Sequence, residues 1–471
     1  MNSIAGRWKE QERLRGLLVS EKSEFVAIYG RRRIGKTFLI RKSYEKELVF
    51  QTTGLANATM DQQLVNFFND LKTVHTKFEK TKTPKNWFEA FELLKAYLTE
   101  RKNKKKVIFI DELPWYDTAK SNFLSSLEHF WNSWASTRTD IVLVVCGSAA
   151  SWIINKLINN KGGLHNRVTQ RIRLLPFTLE ETEAYFKQRK IQLDRYQIIQ
   201  IYMAFGGIPF YLDEVKPGMS AFQVIDKVCF SQDGILVDEY QKLYHSLFNS
   251  AERHIAVIEA LASKKKGLTR DELLTKSGLG NGGTTTAILE ELEESGFISK
   301  YYPFEKKQKN SLYRLSDQYS LFYLKFIKNS KSTGEGTWMT RIDNPTWRAW
   351  SGYAYENIWM DHIDYLKKGL GINGVYTESS SWIDSEKKVQ IDLLLDRRDQ
   401  VISICEVKFS IHPFQITKQY KTELQNKLSV FKQAVKTRKS LFLTMITTFG
   451  LDENIHSTGL VQNVLTLDDL F

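Results

Sequence analysis

The segment at residues 28–39 constrains the fold of this chain more than any other. It reads Ile-Tyr-Gly-Arg-Arg-Arg-Ile-Gly-Lys-Thr-Phe-Leu and fits the pattern G-x-x-x-x-G-K-[ST]. The residues that define the fit are Gly30, Gly35, Lys36 and Thr37. A short apolar run of β-favouring residues precedes the segment, and a helical pattern follows it. This strand–loop–helix context indicates a phosphate-binding loop rather than a chance glycine-rich turn in a basic protein.

Each residue type in this pattern has a chemical reason. Glycines let the backbone wrap around phosphates, and successive backbone N–H groups at a helix N-terminus attract the anion. We expect the ammonium of Lys36 to reach the β and γ phosphates and the hydroxyl of Thr37 to ligate Mg²⁺. The segment therefore predicts a site for ATP with Mg²⁺.

A second signal follows a lysine-rich stretch in residues 107–112, which read Val-Ile-Phe-Ile-Asp-Glu. Four apolar residues that end in two carboxylates are typical of a buried parallel strand whose carboxyl end meets the nucleotide. Asp111 is expected to hold the Mg²⁺ shell, and Glu112 is expected to orient or activate the attacking water. Together with the loop at residues 30–37, this pair predicts ATP hydrolysis.

Two further segments suggest residues around the same nucleotide. The apolar run 141–145 leads into Ser148, which either senses the γ-phosphate or caps a strand-to-helix turn. Residues 165–175 bring Arg167, Arg171 and Arg173 close together in sequence. One of these arginines is a candidate finger for the nucleotide of a neighbouring subunit, with a solvated basic strand as the alternative.

Length and charge limit the classes of protein. At roughly 150 residues per domain, a chain of this length predicts about three domains. The 67 Lys and Arg residues exceed the 54 Asp and Glu residues, which gives a net charge of +13. That excess permits binding to a polyanion, although ordinary solubility charge explains it as well.

The cysteines and the apolar runs point to a compartment. Three widely spaced cysteines, Cys146, Cys229 and Cys405, predict buried thiols in a reducing compartment rather than disulfides or a metal cluster. The N-terminus is polar, and the most apolar run, residues 141–154, is too short to span a bilayer. We therefore expect a cytoplasmic protein without a membrane partner.

The composition changes character at residues 252–313. Three helical patterns and two strand-like pieces, joined by the lysine-rich segment 305–310, predict a winged helix. Its third helix, 284–295, would lie in the major groove, yet Glu290, Glu291, Glu293 and Glu294 make most of that helix acidic. Only residues 284–286 remain to face DNA, and a role in packing or oligomerisation stays open. Residues 328–337 are predicted to form a linker.

The last third of the chain holds a second constellation of charged residues. Glu356 falls inside an apolar stripe of a helix predicted over 351–370, where a carboxylate without a partner is costly. Asp392 lies on a strand predicted over 389–396, and Glu406 and Lys408 project to the same face of a strand predicted over 401–409. Carboxylates and an ammonium on adjacent strands suit a Mg²⁺ site for phosphodiester hydrolysis, with Mn²⁺ as an alternative ion. For Glu406 and Lys408 alone, a structural salt bridge is the alternative.

Residues 1–215 resemble an AAA+-related ATPase of the STAND-like archaeal type. The resemblance is carried by Gly6-Arg7, the loop 30–37, Asp111-Glu112, Gly147-Ser148 and Gly207-Ile208-Pro209. It implies that Arg7 and Pro209 lie near the adenine, that Ser148 is the first sensor, and that Arg167 is the best finger candidate. It also implies an ATPase core over 1–175, a helical lid over 176–249 and, in the winged helix over 250–330, a domain that commonly follows this ATPase.

Residues 338–471 are similar to the PD-(D/E)xK nuclease superfamily. Asp392 and Glu406-Val407-Lys408 match its core motif, with Glu356 on the first helix, and Ile391 stands where that motif has a proline. The expected fold class is α/β throughout, in a P-loop AAA+ ATPase domain with a helical lid, a winged helix and a PD-(D/E)xK nuclease-like domain.

The leading functional hypothesis is an ATP-dependent enzyme that cuts double-stranded DNA, with assembly into a homo-oligomer allowed by the arginine finger. Basic segments at 102–106, 264–266 and 306–309 support contact with a polyanion. The second hypothesis is a STAND-type regulatory switch that binds DNA or protein and carries a catalytically silent nuclease-like domain.

Overall fold

The structure, a computed structural model, describes residues 4–158, 164, 166–248, 250–305, 311–330, 334, 336–341, 344–384 and 386–471. The chain divides into two compact units, Met1–Pro176 and Phe177–Phe471. The lysine-rich segment between the two predicted wing strands, residues 306–310, lies outside the described residues. No helix in the described ranges is long and apolar enough to cross a membrane.

The first unit alternates helices and strands. Its elements are α1 Trp8–Leu18, β1 Glu24–Tyr29, α2 Lys36–Ser43, β2 Leu48–Thr53, α3 Met60–Val74, α4 Trp87–Glu100, β3 Lys106–Asp111, α5 Phe123–Ser133, β4 Ile141–Gly147, α6 Ala150–Trp152 and β5 Gln170–Arg173. The strands form one sheet in the order β2-β3-β4-β1-β5, in which every pair is parallel. The predicted α/β fold with a parallel sheet is confirmed here.

Burial explains why the strands of this sheet could be predicted from the sequence. Every residue of β3 and β4 is buried, so these strands are continuous apolar runs without polar alternation. The sheet order places β4 between β1 and β3. Because the strands are parallel, the segments that follow β1, β3 and β4 emerge side by side at one edge.

The second unit begins with five helices. They are α7 Leu179–Gln188, α8 Arg195–Phe205, α9 Pro209–Leu212, α10 Ala221–Phe230 and α11 Glu239–Leu247. A capping box starts α7: the Thr178 side chain accepts from the backbone N–H of Glu181, and the Glu181 side chain accepts from the backbone N–H of Thr178. These helices cover the region predicted as a lid.

Three helices, a small sheet and a short fourth helix come next. They are α12 Ala251–Ala262, β6 Leu268–Thr269, α13 Arg270–Ser277, α14 Gly283–Glu294, β7 Ile298–Tyr301, β8 Leu312–Leu315 and α15 Gln318–Phe322. The three strands pair antiparallel in the order β6-β8-β7. Of the residues expected to face DNA, Thr284 and Thr286 are exposed, whereas Thr285 is buried and donates to the backbone of Gly280.

The unit ends with a mixed sheet between helices. Its elements are α16 Pro345–Asp361, α17 Ile363–Gly369, β9 Thr377–Asp384, β10 Val389–Arg397, β11 Val401–Lys408, β12 Phe414–Gln415, α18 Lys418–Val435, β13 Ser440–Thr447, β14 Leu451–Asp452 and β15 Asn463–Leu465. The main sheet has the order β15-β13-β11-β10-β9; β9, β10 and β11 are antiparallel, and β13 and β15 join parallel to β11.

The helix predicted over 351–370 is wrong in its bounds. The chain forms two helices, α16 and α17, which meet at His362. Helix α16 starts six residues earlier than residue 351, at Pro345, because Asn344 caps it by accepting from the backbone N–H of Trp347. An Asn-Pro pair is a standard start signal, so the sequence contained the information.

Candidate functional sites

The loop between β1 and α2 has a backbone that only glycine permits at two positions. Gly35 caps α2 with φ 86°, in the left-handed region. Gly30 has φ 146°, and a Cβ there would lie 2.2 Å from the carbonyl oxygen of Leu174. The pattern glycines therefore shape the loop so that its backbone turns directly into the N-terminus of α2, where N–H groups are available to an anion.

Lys36 is held at the floor of this loop. Its side chain is buried, and its Nζ donates to the carbonyl oxygens of Gly30 and Arg31 at 2.8 and 2.9 Å. Burial lowers the pKa of Lys36, while the nearby acidic residues Asp111 and Glu112 oppose that shift. The loop thus concentrates a cation at the position where the sequence placed the phosphates.

Asp111 ends β3 beside the loop and is 5% exposed. The hydroxyl of Thr37 donates to its Oδ2 at 2.7 Å, and the backbone N–H of Glu112 donates to its Oδ1 at 2.9 Å. Burial and this carboxylate raise the pKa of the Cys146 thiol, whose Sγ also donates to Oδ1. A hydroxyl and a carboxylate in contact are the donor set that Mg²⁺ prefers, so Thr37 and Asp111 fit the ion expected there.

Glu112 and Ser148 meet at the edge of the sheet. Glu112 takes a left-handed backbone conformation with φ 46°, which turns the chain sharply after β3. The backbone N–H and the hydroxyl of Ser148 donate to its Oε2 at 3.2 and 3.1 Å. The side chain of Ser148 does not cap α6, whose N-cap is Ala149. Ser148 therefore orients the carboxylate that the sequence assigned to the attacking water.

The structure places the remaining nucleotide residues on different elements. Arg7 is buried before α1, and its Nη2 donates to the carbonyl oxygen of Ile34 in the loop, at 3.3 Å. Pro209 is the first residue of α9 in the second unit, after a turn in which a Cβ at Gly207 would lie 1.9 Å from the carbonyl oxygen of Phe177. Arg167 is exposed ahead of β5. The roles of these three residues stay predictions.

A second group of charged residues lies on β10 and β11. The register of this antiparallel pair aligns Leu393 with Cys405, and the next residues along the two strands are Asp392 and Glu406. Side chains opposite each other in such a pair project to the same face. On its other edge, β10 shifts register against β9 between Ile391 and Leu394. Such bulges re-aim side chains, and Asp392 lies inside this one.

Glu406 is compensated by cations and a phenol. Lys408 Nζ lies 3.0 Å from Oε1, and Lys427 Nζ on α18 lies 2.7 Å from Oε2. The hydroxyl of Tyr420 also donates to Oε1 at 2.7 Å. Burial by itself raises the pKa of Glu406, but Lys408 and Lys427 outweigh it, so that the pKa is lowered. The ion pair between Glu406 and Lys408, which the sequence left open as the alternative to a metal site, is present, with Lys427 as a second partner.

The other two carboxylates have the opposite electrostatics. Burial and then repulsion from Asp392 and Glu406 raise the pKa of Glu356 to about 8. Burial and repulsion from Glu406 likewise raise the pKa of Asp392, although a hydrogen bond from Gln390 opposes the shift. Two carboxylates that repel each other in a partly desolvated place are stabilised by a cation or by a proton.

These residues line a cavity of about 430 Å³, which we call the Asp392 cavity. Its walls come from the α12–β6 loop, from α16 and from the ends of β10 and β11. The lining residues are Lys265, Lys266, Arg348, Ala349, Gly352, Tyr353, Glu356, Gln390, Asp392, Val407, Lys408 and Phe409. The structure thus brings Glu356, Asp392 and Lys408 to one cavity, with Glu406 bonded to Lys408 beside it.

The predicted apolar stripe around Glu356 needs correction. Tyr353 and Glu356 line the cavity and Met360 is half-buried, so this side of α16 does not face the core. The buried residues of α16 are Trp347, Trp350, Ser351, Ala354, Tyr355, Asn357, Ile358 and Trp359. Because apolar residues occur on most sides of this helix, spacing alone did not identify the inward face.

Several site residues were missed by reading the sequence. Lys427 and Tyr420 lie seven residues apart on α18 and therefore share a face, a spacing that was available from the sequence. Arg348 is eight residues before Glu356 and shares its face of α16. Lys265 and Lys266 belong to a distant loop, and no local signal connects them to Asp392.

Within the described ranges, no group of three or more His, Cys, Asp or Glu side chains is arranged to hold a metal ion.

Comparison with known proteins agrees with the geometry of the first unit. Residues 5–215 match the profile of an ATPase domain found predominantly in Archaea. With the loop, the sheet order and the Asp111–Thr37 contact, this match identifies residues 5–215 as a P-loop ATPase domain, and it supports nucleotide binding and ATP hydrolysis.

Three similar proteins extend over more of the chain. An uncharacterised protein of Methanocaldococcus jannaschii is 25% identical over 407 residues, which are 86% of this chain and 87% of that protein. A Walker-type ATPase of Pyrococcus abyssi superposes with a TM-score of 0.51 at 18% identity, over 69% of this chain and 96% of the other, and shows the shared fold. The ORC2 protein of Aeropyrum pernix, in ADPNP and ADP complexes, gives a TM-score of 0.42 at 16% identity, over 67% of this chain and 91% of that one.

Proposed function

We propose that this chain is an ATP-hydrolysing, metal-dependent nuclease that acts on DNA. The observation that carries the second half of this proposal is the convergence of Glu356, Asp392 and Lys408 on one cavity. A cleft with perturbed carboxylates beside a cation is the usual form of a catalytic site. The domains that we propose are those predicted from the sequence, with α12 to β8 as the winged helix.

The residues of the ATPase site have distinct tasks in this proposal. Lys36 binds the β and γ phosphates, while Thr37 and Asp111 hold Mg²⁺, which neutralises the charge on the phosphates when it is bound. Glu112 orients the attacking water, and Ser148 keeps the Glu112 carboxylate in place through its two hydrogen bonds. Arg7 fixes the loop from behind by its bond to the Ile34 carbonyl.

The tasks at the Asp392 cavity follow from charge. Asp392 and Glu356 would hold Mg²⁺ or Mn²⁺. Glu406 on the neighbouring strand is engaged by Lys408 and Lys427, and it would join the two metal-binding carboxylates only by leaving these ion pairs. The ion supplies stabilisation of the charge that develops on a phosphate during hydrolysis. The ammonium of Lys408, held by Glu406, orients the attacking water. The raised pKa values of Glu356 and Asp392 support this assignment, because a divalent cation relieves the repulsion between them.

DNA is the proposed substrate of the cavity. The excess of basic residues supports that choice, and so does the segment from α12 to β8, which we call the three-helix region. A helix with as many acidic residues as α14 is a poor ligand for the major groove, so we assign to this region a general role in positioning the strand rather than sequence recognition.

The direct test is nicking of plasmid DNA with Mg²⁺ or Mn²⁺, in the presence and absence of ATP. We expect the parent to cut, and the Asp392→Ala and Lys408→Ala variants to lose cutting while they keep ATP turnover. Variants that cut as well as the parent would end the nuclease assignment. Lys427→Ala is a useful comparison, because Lys427 binds Glu406 but does not line the cavity.

A regulatory switch is the second candidate, and one observation favours it. Both oxygens of Glu406 are already engaged by lysines, in ion pairs of 2.7 and 3.0 Å. Such a carboxylate has less need for a metal than the pair Glu356 and Asp392. Tight binding of DNA in a bandshift assay, with no cutting by the parent under any metal, would favour the switch. In that case Arg167, our proposed finger, would act when subunits assemble. If the ATP turnover of Arg167→Ala depends on protein concentration in the same way as that of the parent, Arg167 does not have this role.

A further inference from the structure

The loop that joins α12 to β6, residues 263–267, reaches the Asp392 cavity from the three-helix region. Lys265 and Lys266 line the cavity together with α16 and the β10 and β11 strand ends. The Nζ of Lys265 donates to the Ala349 carbonyl oxygen on α16 at 3.2 Å and lies 5.4 Å from the ring centroid of Tyr353. The hydroxyl of Tyr301 donates to the Lys266 carbonyl oxygen at 2.5 Å. The loop is therefore fixed against the cavity on both sides.

The third lysine of the run has a different environment. Lys264 forms an ion pair with Glu272 at 2.6 Å and does not line the cavity. Lys265 and Lys266 are exposed to solvent, and their charges act on Glu356 and Asp392 respectively. Three consecutive residues of the same type thus separate into one that is paired locally and two that face the cavity.

A polyanionic strand needs such cations at this place. Glu356 and Asp392 repel a phosphodiester, whereas Lys265, Lys266, Arg348 and Lys408 attract it. Arg348 is exposed on the same face of α16 as Glu356. A volume of about 430 Å³ admits a segment of one strand of roughly nucleotide size.

We propose that Lys265 and Lys266, assisted by Arg348, bind the backbone phosphates that flank the Asp392 cavity. The three-helix region then contributes to the substrate site through its α12–β6 loop, not through α14. On α14, Glu291 is already engaged with His254 at 2.7 Å, and Glu290 is exposed as an acidic surface. This inference rests on the proposed nuclease function, since it names the phosphate-binding residues of the same cavity.

The test compares Lys265→Ala/Lys266→Ala with Lys264→Ala in the full chain. Binding of a fluorescein-labelled single-stranded oligonucleotide is followed by anisotropy without divalent metal, over about 50 to 200 mM salt. Loss of two phosphate contacts should weaken binding on the order of tenfold and reduce the slope of log K against log salt by about 1.4. Lys264→Ala should bind like the parent. Thermal melting of each variant confirms that it is folded.

Two results would overturn the assignment of the lysines. One is a double variant with the affinity and the salt slope of the parent, and the other is a Lys264→Ala variant that weakens binding equally. The binding measurement is independent of cutting, so failure of the nuclease proposal is seen separately, as a parent that binds the oligonucleotide and cuts no DNA. Asp392→Asn serves as an internal reference, because removal of a carboxylate from the cavity should tighten metal-free binding.

Discussion

The nucleotide loop and the Asp392 cavity are both built to receive phosphate, but they compensate charge in different ways. At the loop, Lys36 and Thr37 are adjacent in sequence, and they contact the loop carbonyls and Asp111 at 2.7 to 2.9 Å. At the cavity, Glu356 and Asp392 come from distant elements and repel each other. At the loop each of these groups has a partner in the folded chain, whereas at the cavity two carboxylates repel each other and a cation or a proton would relieve the repulsion.

The largest effect should come from Glu112. In Glu112→Gln the amide keeps the shape of the side chain but cannot accept or direct a proton, so ATP turnover should fall about 10²- to 10⁴-fold while ATP still binds. Turnover is measured by phosphate release at saturating ATP, with binding followed by a fluorescent ATP analogue. A variant that turns over like the parent would remove Glu112 from its assigned role at the nucleotide.

Lys36→Ala should have the next largest effect. Loss of a charged donor to the phosphates should weaken ATP binding by roughly 10- to 100-fold. Lys42→Ala is the matched control, because Lys42 lies on the same helix but pairs with Glu45 near the surface. Calorimetric titration with ATP distinguishes the two variants. An unchanged ATP affinity in Lys36→Ala would contradict the phosphate-binding role of Lys36.

The pKa of Glu356 predicts a pH dependence for the cavity. Because its folded pKa of about 8 lies above the usual value of 4.5, the folded chain holds more protons than the unfolded chain between these values. The free energy of unfolding should therefore fall as the pH rises through this window, by up to about 5 kcal/mol. Glu356→Gln cannot titrate, so its stability relative to the parent should increase with pH.

Urea unfolding in EDTA across that window measures the difference. Glu290→Gln, a change at an exposed carboxylate of α14, is the control and should follow the parent at every pH. If the difference in free energy of unfolding between Glu356→Gln and the parent stays constant with pH, the charge repulsion assigned to the cavity is absent. Addition of Mg²⁺ should reduce the difference at the alkaline end, because the ion takes over the role of the proton.

The smallest expected effect is on stability, when a glycine of either region is replaced by alanine. Gly352 lies inside α16, and a Cβ there meets no described atom within 4 Å, so Gly352→Ala should stabilise the fold by about 1 kcal/mol. Gly30→Ala should destabilise it, since its Cβ would clash with the Leu174 carbonyl. Thermal melting gives both signs, and a stabilising Gly30→Ala would contradict the geometry of the loop.

Local patterns predicted the first unit better than the second. The strands β1, β3 and β4 are continuous apolar runs, and the motif residues at their ends needed only the parallel sheet to bring them together. The three cysteines are free and buried, as their apolar neighbours indicated. In the second unit, the spacing around Glu356 indicated the wrong inward face, because α16 is apolar on most sides.

By itself, the sequence determined the nucleotide loop, the carboxylates at the end of β3 and the placement of Glu406 and Lys408 on one face of β11, since each depends on residues at most a few positions apart. The tertiary structure alone decided that Lys427 neutralises Glu406 and that Lys265 and Lys266 face Asp392. The physical reason is that helix and strand periods fix neighbours within one element, whereas contacts between elements depend on packing of the whole unit.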